Sequence, residues 1–118
     1  MIADQDLFVY KISKVLKVID GDTFDALIDL GFNVSIKVRV RMYGINTPEC
    51  RTRNKEEKIK GLAAKKRLSE LCEGSLIIKS HGIGKYGRVL GEVYNQESSL
   101  GDMLIQEGHA KEYYGGRR

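Results

Sequence analysis

The fold of this chain is decided by residues 33–49, which read NVSIKVRVRMYGINTPE. Apolar residues alternate with polar or charged ones through most of this stretch, and a period of two predicts a β-strand with one face in the core. Arg39 and Arg41 lie on the other face, toward solvent or a ligand. Pro48 then ends the strand and stiffens the turn that presents Glu49. The apolar face consists of Val34, Ile36, Val38, Val40 and Met42.

Outward from this strand, the pattern predicts three strands, a helix, two strands and a helix. Asp20-Gly21 is typical of a hairpin turn, and Ser99 with Asp102 is typical of a helix cap. This order suits a mainly β, α+β domain of the OB-fold type: a five-stranded Greek-key barrel with two or three helices. The predicted strands are 8–19, 23–30, 33–43, 75–79 and 88–94, and the predicted helices are 55–73 and 99–107. The first helix has an apolar stripe at Ile59, Leu62, Ala63, Leu68, Leu71 and Cys72.

The length of 118 residues suits one domain, 1–118, with flexible ends at 1–6 and 115–118. No apolar run reaches the length of a membrane span, so we expect no membrane partner. The first residues lack the features of a signal peptide. We expect a cytoplasmic protein if the sequence is complete and a secreted one if a signal has been removed, with a monomer as the default state.

Charge favours an anionic partner. Twenty lysines and arginines against 16 acids give a net charge of +4 and a pI of about 9.1. The acids gather over residues 20–29 and the bases over residues 37–55, which fits a cation site beside a polyanion-binding surface. The two cysteines, Cys50 and Cys72, are predicted to be free thiols, with a disulfide as the alternative. A zinc site would have to join them to His81 and His109 at unrelated spacings.

Two further segments carry groups suited to phosphodiester hydrolysis. Asp20-Gly21-Asp22-Thr23 crowds two carboxylates around a glycine, and hard oxygen ligands of this kind suit Ca²⁺ or Mg²⁺. In isolation the same residues are an ordinary hairpin turn. Lys85-Tyr86-Gly87-Arg88 sets two cations and a phenol on a second turn, which either grips phosphates or is a simple basic turn.

The deciding stretch supplies an arginine and a glutamate. A guanidinium binds phosphate oxygens through two parallel hydrogen bonds, and alternation alone does not choose between Arg39 and Arg41. Glu49, held near a cation, accepts a proton from water or orients it; a surface glutamate in a charged loop is the alternative. Because a carboxylate is a weak base for free water, a metal must acidify the water or the proton must move late.

Together and in this order, these segments resemble the staphylococcal nuclease (thermonuclease-like) family over roughly residues 10–114. The resemblance implies an OB-fold that cleaves DNA and RNA with little base specificity. It implies one bound Ca²⁺ ion and cutting of the P–O5′ bond, which leaves a 3′-phosphate. The matching segments are Asp20 to Thr23, Arg41 with Thr47-Pro48-Glu49, Lys85 to Arg88, Glu57 with Lys60-Gly61-Leu62 and Ala64-Lys65, and Gly108 with Ala110-Lys111.

The resemblance also implies roles for individual residues. Asp22 would bind calcium, with the carbonyl of Thr47 and the side chain of Asn46 beside it. Glu49 would be the base or the group that orients water. Arg41 and Arg88 would stabilise the charge that develops on the phosphate in the transition state. Lys85 and Tyr86 would hold a neighbouring phosphate, and Tyr114 would lie under a base.

One departure from the family bears on activity. The family's prototype has an aspartate where this chain has Asn46, so the predicted calcium site has one negative charge fewer and a lower expected affinity. Asp20 or Glu49 would compensate. The alternative to a nuclease is therefore a weakened or inactive OB-fold module that binds single-stranded nucleic acid or a partner protein.

Overall fold

A computed structural model describes residues 8–96 and 98–114 of the chain. The predicted flexible ends, 1–6 and 115–118, lie outside the described residues. Seven strands and two α-helices are found within the described part. The strands are β1 Val9–Asp20, β2 Thr23–Gly31, β3 Val34–Met42, β4 Gly44–Asn46, β5 Leu76–Ile83, β6 Val89–Tyr94 and β7 Lys111–Tyr113, and the helices are α1 Lys55–Leu71 and α2 Leu100–Gln106.

Five of the strands close into a barrel in the order β1-β2-β3-β6-β5. Neighbouring barrel strands are antiparallel except β3 and β6, which run parallel where Val40 faces Val89. Helix α1 connects β3 and β4 to β5, as predicted for a helix between the third and fourth barrel strands. The predicted OB-fold architecture, an α+β domain with a five-stranded barrel, is confirmed.

The core fills the barrel from the alternating faces of its strands. Phe24 and Ala26 of β2 are fully buried beside Val40 of β3, and Leu68 of α1 and Leu104 of α2 close the core. Each helix starts at a side-chain cap: Asn54 accepts a hydrogen bond from the Glu57 N–H, and Ser99 accepts one from the Asp102 N–H. Neither helix of the described residues is long and apolar enough to span a membrane.

The predicted buried faces of β3 and α1 are correct only in part. Val34 and Ile36 are exposed, because the β2–β3 hairpin extends beyond the part of the barrel that the helices cover. In α1, Leu68 and Leu71 are buried, but Ile59 and Leu62 are exposed. The buried stripe of α1 consists of Gly61, Ala64, Leu68 and Leu71. Small residues take its first two positions because the helix approaches the backbone of other segments there.

Two short strands were not predicted from the sequence. β4 pairs with β7, with Gly44 opposite Tyr113 and Asn46 opposite Lys111. Tyr113 is thereby held in a strand pair at the end of the described chain. β5 also runs four residues beyond its predicted end, to Ile83.

The hairpin between β2 and β3 turns through a left-handed two-residue loop. Phe32 and Asn33 have φ angles of +54° and +64°, between the paired residues Gly31 and Val34. A loop of this kind favours asparagine and glycine, because a bulky side chain is strained at positive φ. Phe32 is nonetheless fully exposed, so no buried contact of its side chain offsets that strain.

We expect Phe32→Asn to raise the free energy of unfolding by about 1 kcal/mol, because asparagine adopts a positive φ at lower cost than phenylalanine. Urea denaturation followed by circular dichroism measures the change. Asn33→Ala is the matched control at the other loop position and should lower the free energy of unfolding. A Phe32→Asn protein no more stable than the parent would contradict the strain argument.

Candidate active site

The turn between β1 and β2 places Asp22 at the centre of the site. Its side chain is buried, and both carboxylate oxygens accept hydrogen bonds: Oδ1 from the Thr23 hydroxyl at 2.9 Å and Oδ2 from the Thr47 N–H at 3.0 Å. The Asp22 carbonyl also accepts a hydrogen bond from the Met42 N–H at 2.8 Å. These bonds tie the first hairpin to the end of β3 and to the turn at residues 47–49.

Arg41, the second-last residue of β3, contacts the same carboxylate. Its Nη2 lies 3.5 Å from Asp22 Oδ2, and its Nη1 donates to the Met42 carbonyl at 2.7 Å. The Arg41 side chain is only 13% exposed. A buried guanidinium held by a carboxylate and a carbonyl is fixed in position, which is what recognition of a phosphate requires.

A cavity of about 300 Å³ joins these groups to the other predicted catalytic residues. It contains five residues predicted for the site, together with Asp20, Thr23 and Tyr113. Thr23 belongs to the Asp-Gly-Asp-Thr segment but was given no role, and its hydroxyl now orients Asp22. Tyr113 reaches the cavity through β7, which the sequence did not reveal. The lining residues are Asp20, Asp22, Thr23, Arg41, Thr47, Glu49, Arg88 and Tyr113.

Two buried polar atoms of the cavity residues have no hydrogen-bond partner among the described residues. They are the hydroxyl oxygen of Thr47 and the Nε of Arg88. An unsatisfied buried donor or acceptor costs about 1–3 kcal/mol, so such groups are usually satisfied by a ligand or water. One atom is an oxygen suited to a cation or a hydroxyl group, and the other is a cationic donor suited to an anion. The cavity therefore has the polarity of a site for a phosphate.

The oxygen donors of the cavity fit a hard divalent cation. Asp20, Asp22 and Glu49 supply carboxylates, and the unsatisfied hydroxyl of Thr47 lies among them. Within residues 8–96 and 98–114, no three His, Cys, Asp or Glu side chains are clustered closely enough to hold a metal by themselves. Amide, hydroxyl or main-chain oxygens would have to complete the coordination, as is common for calcium.

Asn46 is the last residue of β4, directly before the turn at residues 47–49. It lines a larger groove of about 910 Å³ that runs between α1 and residues 108–111. Thr47 and Glu49 line both the groove and the smaller cavity. The turn at residues 47–49 thus borders two recesses. Asn46 directly precedes Thr47, whose N–H donates to Asp22, so the two predicted metal ligands Asn46 and Asp22 lie near each other at the start of the turn.

The predicted substrate-binding residues lie outside the lining of the cavity. Lys85 and Tyr86 belong to an exposed 3₁₀ turn, Lys85–Gly87, in which the Tyr86 ring centroid is 5.9 Å from the Arg88 guanidinium carbon. Tyr114 packs its ring edge on Tyr43 with a centroid separation of 5.5 Å. Each of these side chains is close in sequence to a residue that does line the cavity, Arg88 or Tyr113.

Cys50 lies directly behind the site. Its N–H donates to Asp20 Oδ1 at 3.2 Å, and both it and Cys72 are free thiols. Burial raises the pKa of the Cys50 thiol to about 11, and the interaction of the thiol itself with the Asp20 carboxylate adds to this rise. Burial likewise raises the pKa of Cys72 to about 11. Both thiols are therefore protonated at neutral pH, and Cys50 acts as a packing residue that supports Asp20 and not as a nucleophile.

Helix α1 crosses the turn that carries Glu49 at a glycine. A Cβ at Gly61 would overlap the Glu49 carbonyl group and come 3.0 Å from the Cys50 nitrogen. A Cβ at Gly21 would come 2.7 Å from the Cβ of Ala64, one turn further along the helix. The helix thus presses on both chain segments of the cavity, and only small residues allow this approach.

We expect Gly61→Ala to lower the free energy of unfolding by roughly 2 kcal/mol, although alanine is the better helix former by about 1 kcal/mol. The overlap must displace the Glu49 backbone. The exposed change Lys66→Ala on the same helix is the control and should leave stability within about 0.5 kcal/mol of the parent. Urea denaturation of both variants decides the matter; a Gly61→Ala protein as stable as the control would refute the close contact.

Comparison with known proteins identifies a family for this chain. A family model described as staphylococcal nuclease homologue matches residues 39–118, about two thirds of the chain. The matched region contains Arg41, Glu49 and Arg88, and the hydrogen bond from the Thr47 N–H joins Asp22 to it. The search of curated proteins found no match.

Proposed function

The chain belongs to the staphylococcal nuclease homologue family, and we propose that it is a calcium-dependent nuclease that hydrolyses DNA and RNA. We further propose low base specificity and 3′-phosphate products. The observation that carries the proposal is the cavity that collects carboxylates and arginines around two unsatisfied polar atoms, Thr47 Oγ1 and Arg88 Nε. A phosphodiester with its cation supplies the partners that both atoms need.

Arg41 and Arg88 would bind the scissile phosphate. Arg41 is already fixed by Asp22 and the Met42 carbonyl, so little reorganisation is needed when negative charge grows on the phosphate oxygens. Arg88 contributes a donor, Nε, that lacks a partner among residues 8–96 and 98–114. Donors held in advance stabilise the transition state more than flexible ones, because their ordering does not oppose the reaction.

Glu49 would orient the attacking water and accept its proton. The residue lies at the end of the turn that Pro48 stiffens and lines both recesses, so water can reach it from the groove. Asp22, Asn46 and Thr47 would hold the calcium ion, with Asp20 adjoining. A bound divalent ion supplies charge neutralisation and a more acidic water, which a carboxylate base alone lacks.

Exposed residues next to those that line the cavity would hold the rest of the nucleic-acid strand. Lys85 and Tyr86 are exposed beside Arg88 and suit an adjacent phosphate. Tyr114 offers a ring for stacking on a base, an interaction that tolerates any sequence. Contacts to phosphates and ring faces without base-edge hydrogen bonds account for the low base specificity.

One observation favours a second candidate, a binding module without catalysis. Both carboxylate oxygens of Asp22 already accept hydrogen bonds from the protein, and Arg41 lies 3.5 Å from one of them. With Asn46 in place of a second acid, the site has less negative charge for a cation than a pair of aspartates would provide. This module would bind nucleic acid in a salt-sensitive way and leave it intact.

Digestion of single-stranded DNA and of RNA with calcium, with magnesium and with a chelator tests the proposal. We expect calcium-dependent cleavage with 3′-phosphate ends. Glu49→Gln and Arg88→Ala should each reduce the rate by about 10²-fold or more while the protein stays folded. Glu73→Gln, which removes an exposed carboxylate beyond α1, is the control and should retain the parent rate. Normal turnover by either site variant would refute its role.

Asn46→Asp tests the metal assignment separately. An added carboxylate should tighten calcium binding, so the calcium concentration for half-maximal activity should fall by about tenfold. Calcium titration followed by protein stability gives a readout that needs no turnover, since a ligand of the folded state raises its stability. An unchanged calcium dependence in both measurements would remove Asn46 from the metal site.

A further inference from the structure

Beyond Arg41, the outer face of the sheet β1–β3 is strongly basic, and the proposed reaction uses none of these further charges. Five exposed cations and two partly buried carboxylates project from this face, a net charge of +3 out of +4 for the whole chain. The face is therefore the main source of the positive charge of the protein. Its charged residues are Lys11, Lys14, Lys17, Lys37, Arg39, Asp25 and Asp29.

Strand register arranges these cations in rows across the three strands. Lys17, Asp25 and Arg39 form one row, and Lys14 and Lys37 lie on either side of Leu27 in the next. The charges act on one another: the hydrogen bond from Arg39 is the main cause of the lowered pKa of Asp25, and Lys37 and Lys17 also lower it. The rows thus form one continuous basic surface.

Arg39 is held in place on this surface. Its Nε and Nη2 donate to the two oxygens of Asp25 at 2.7 and 3.2 Å, while its side chain remains 50% exposed. A guanidinium has five N–H groups, so donors remain for a phosphate after Asp25 has accepted two bonds. The carboxylate orients Arg39 in the way that Asp22 orients Arg41.

The basic surface is continuous with the cavity. Lys37, Arg39 and Arg41 alternate with the apolar residues of β3 and so lie on one face of that strand. Residues two apart in a strand are separated by about 6.6 Å, which is comparable to the separation of successive phosphates in an extended single strand. Arg41 lines the cavity, so the row leads from the reaction site onto the open sheet.

We propose that this face is an extended binding site for the phosphodiester backbone of single-stranded nucleic acid. Phosphates beyond the scissile bond lie along Arg39 and Lys37, with Lys14 and Lys17 of β1 beside them. The site binds phosphates and not base edges, so it raises the affinity for long nucleic-acid strands without sequence preference. The inference deepens the proposed function and rests on it in one respect: the nucleic-acid strand that lies on the outer face is the one that enters the cavity.

A double variant of the outer face tests this site. Lys14→Ala with Lys37→Ala removes two exposed charges from it, and Lys58→Ala with Lys66→Ala removes two exposed charges from α1 as the matched control. Fluorescence anisotropy measures binding of a labelled dinucleotide and of a ten-nucleotide single-stranded DNA over a range of salt concentrations. A chelator is present, so cleavage does not affect the readout.

We expect the outer-face variant to weaken binding of the longer DNA by about tenfold at low salt, with a much smaller effect on the dinucleotide. The slope of log K against log salt should fall by about 1.4, since each phosphate contact of a single strand contributes about 0.7. The control variant should change the affinity less than twofold. Equal losses in the two double variants, or no loss in the outer-face variant, would overturn the proposal.

Failure of the two proposals can be told apart. Length-dependent binding that the outer-face variant loses, in a protein that never cleaves, would keep the extended site and refute the nuclease. Calcium-dependent cleavage, together with unchanged binding of the ten-nucleotide DNA by the outer-face variant, would support the nuclease and refute the extended site. Sedimentation with anionic phosphatidylserine vesicles adds a third arm: vesicle binding that depends on Lys14 and Lys37, while DNA binding does not, would assign the face to a membrane and overturn the proposal.

Discussion

The hydrogen bond between the Asp22 carboxylate and the Thr47 N–H is the interaction on which the site depends. It joins the β1–β2 turn to the turn after β4, two segments 25 residues apart, and it is buried. A buried carboxylate is costly unless its oxygens are satisfied, and here Thr23, Thr47 and Arg41 share that task. Each partner removed would leave the buried carboxylate less well satisfied, and loss of the Thr47 bond in particular would release the turn that carries Glu49.

Close packing of the first helix preserves this geometry. Gly61 lets α1 lie against the backbone of residues 49–50, and Ala64 meets Gly21 beside Asp22. The helix is therefore a support for both halves of the site, and its position follows from the core contacts of Leu68 and Leu71. Barrel, helix and cavity are packed against one another, so a shift of a few tenths of an ångström in the helix would displace the turn that carries Glu49.

The sequence predicted the barrel and most of the site because both depend on local patterns. Alternation revealed β3 and its two arginines, and the order of short motifs revealed the family. Strands β4 and β7 were missed because a three-residue ladder forms only with a partner far along the chain, and the position of Tyr113 at the cavity was not predicted for the same reason. Ile59 was placed in the core because an apolar stripe shows that a helix has a buried face, while its rotation depends on where small residues permit contact.

The two arginines of β3 show how one strand serves two purposes. Arg41 pairs with Asp22 and is 13% exposed, whereas Arg39 pairs with Asp25 and is 50% exposed. Attraction between charges is weakened by water, so the Arg39 pair contributes little to stability, and Arg39 can exchange part of its contacts for a phosphate at low cost. Because Arg41 is largely shielded from water, the electrostatic interaction of its guanidinium with a nearby charge is stronger. This suits a group that must stabilise negative charge developing on a phosphate. Burial therefore distinguishes two arginines on the same face of the same strand, and it is the reason we propose catalysis for Arg41 and binding for Arg39.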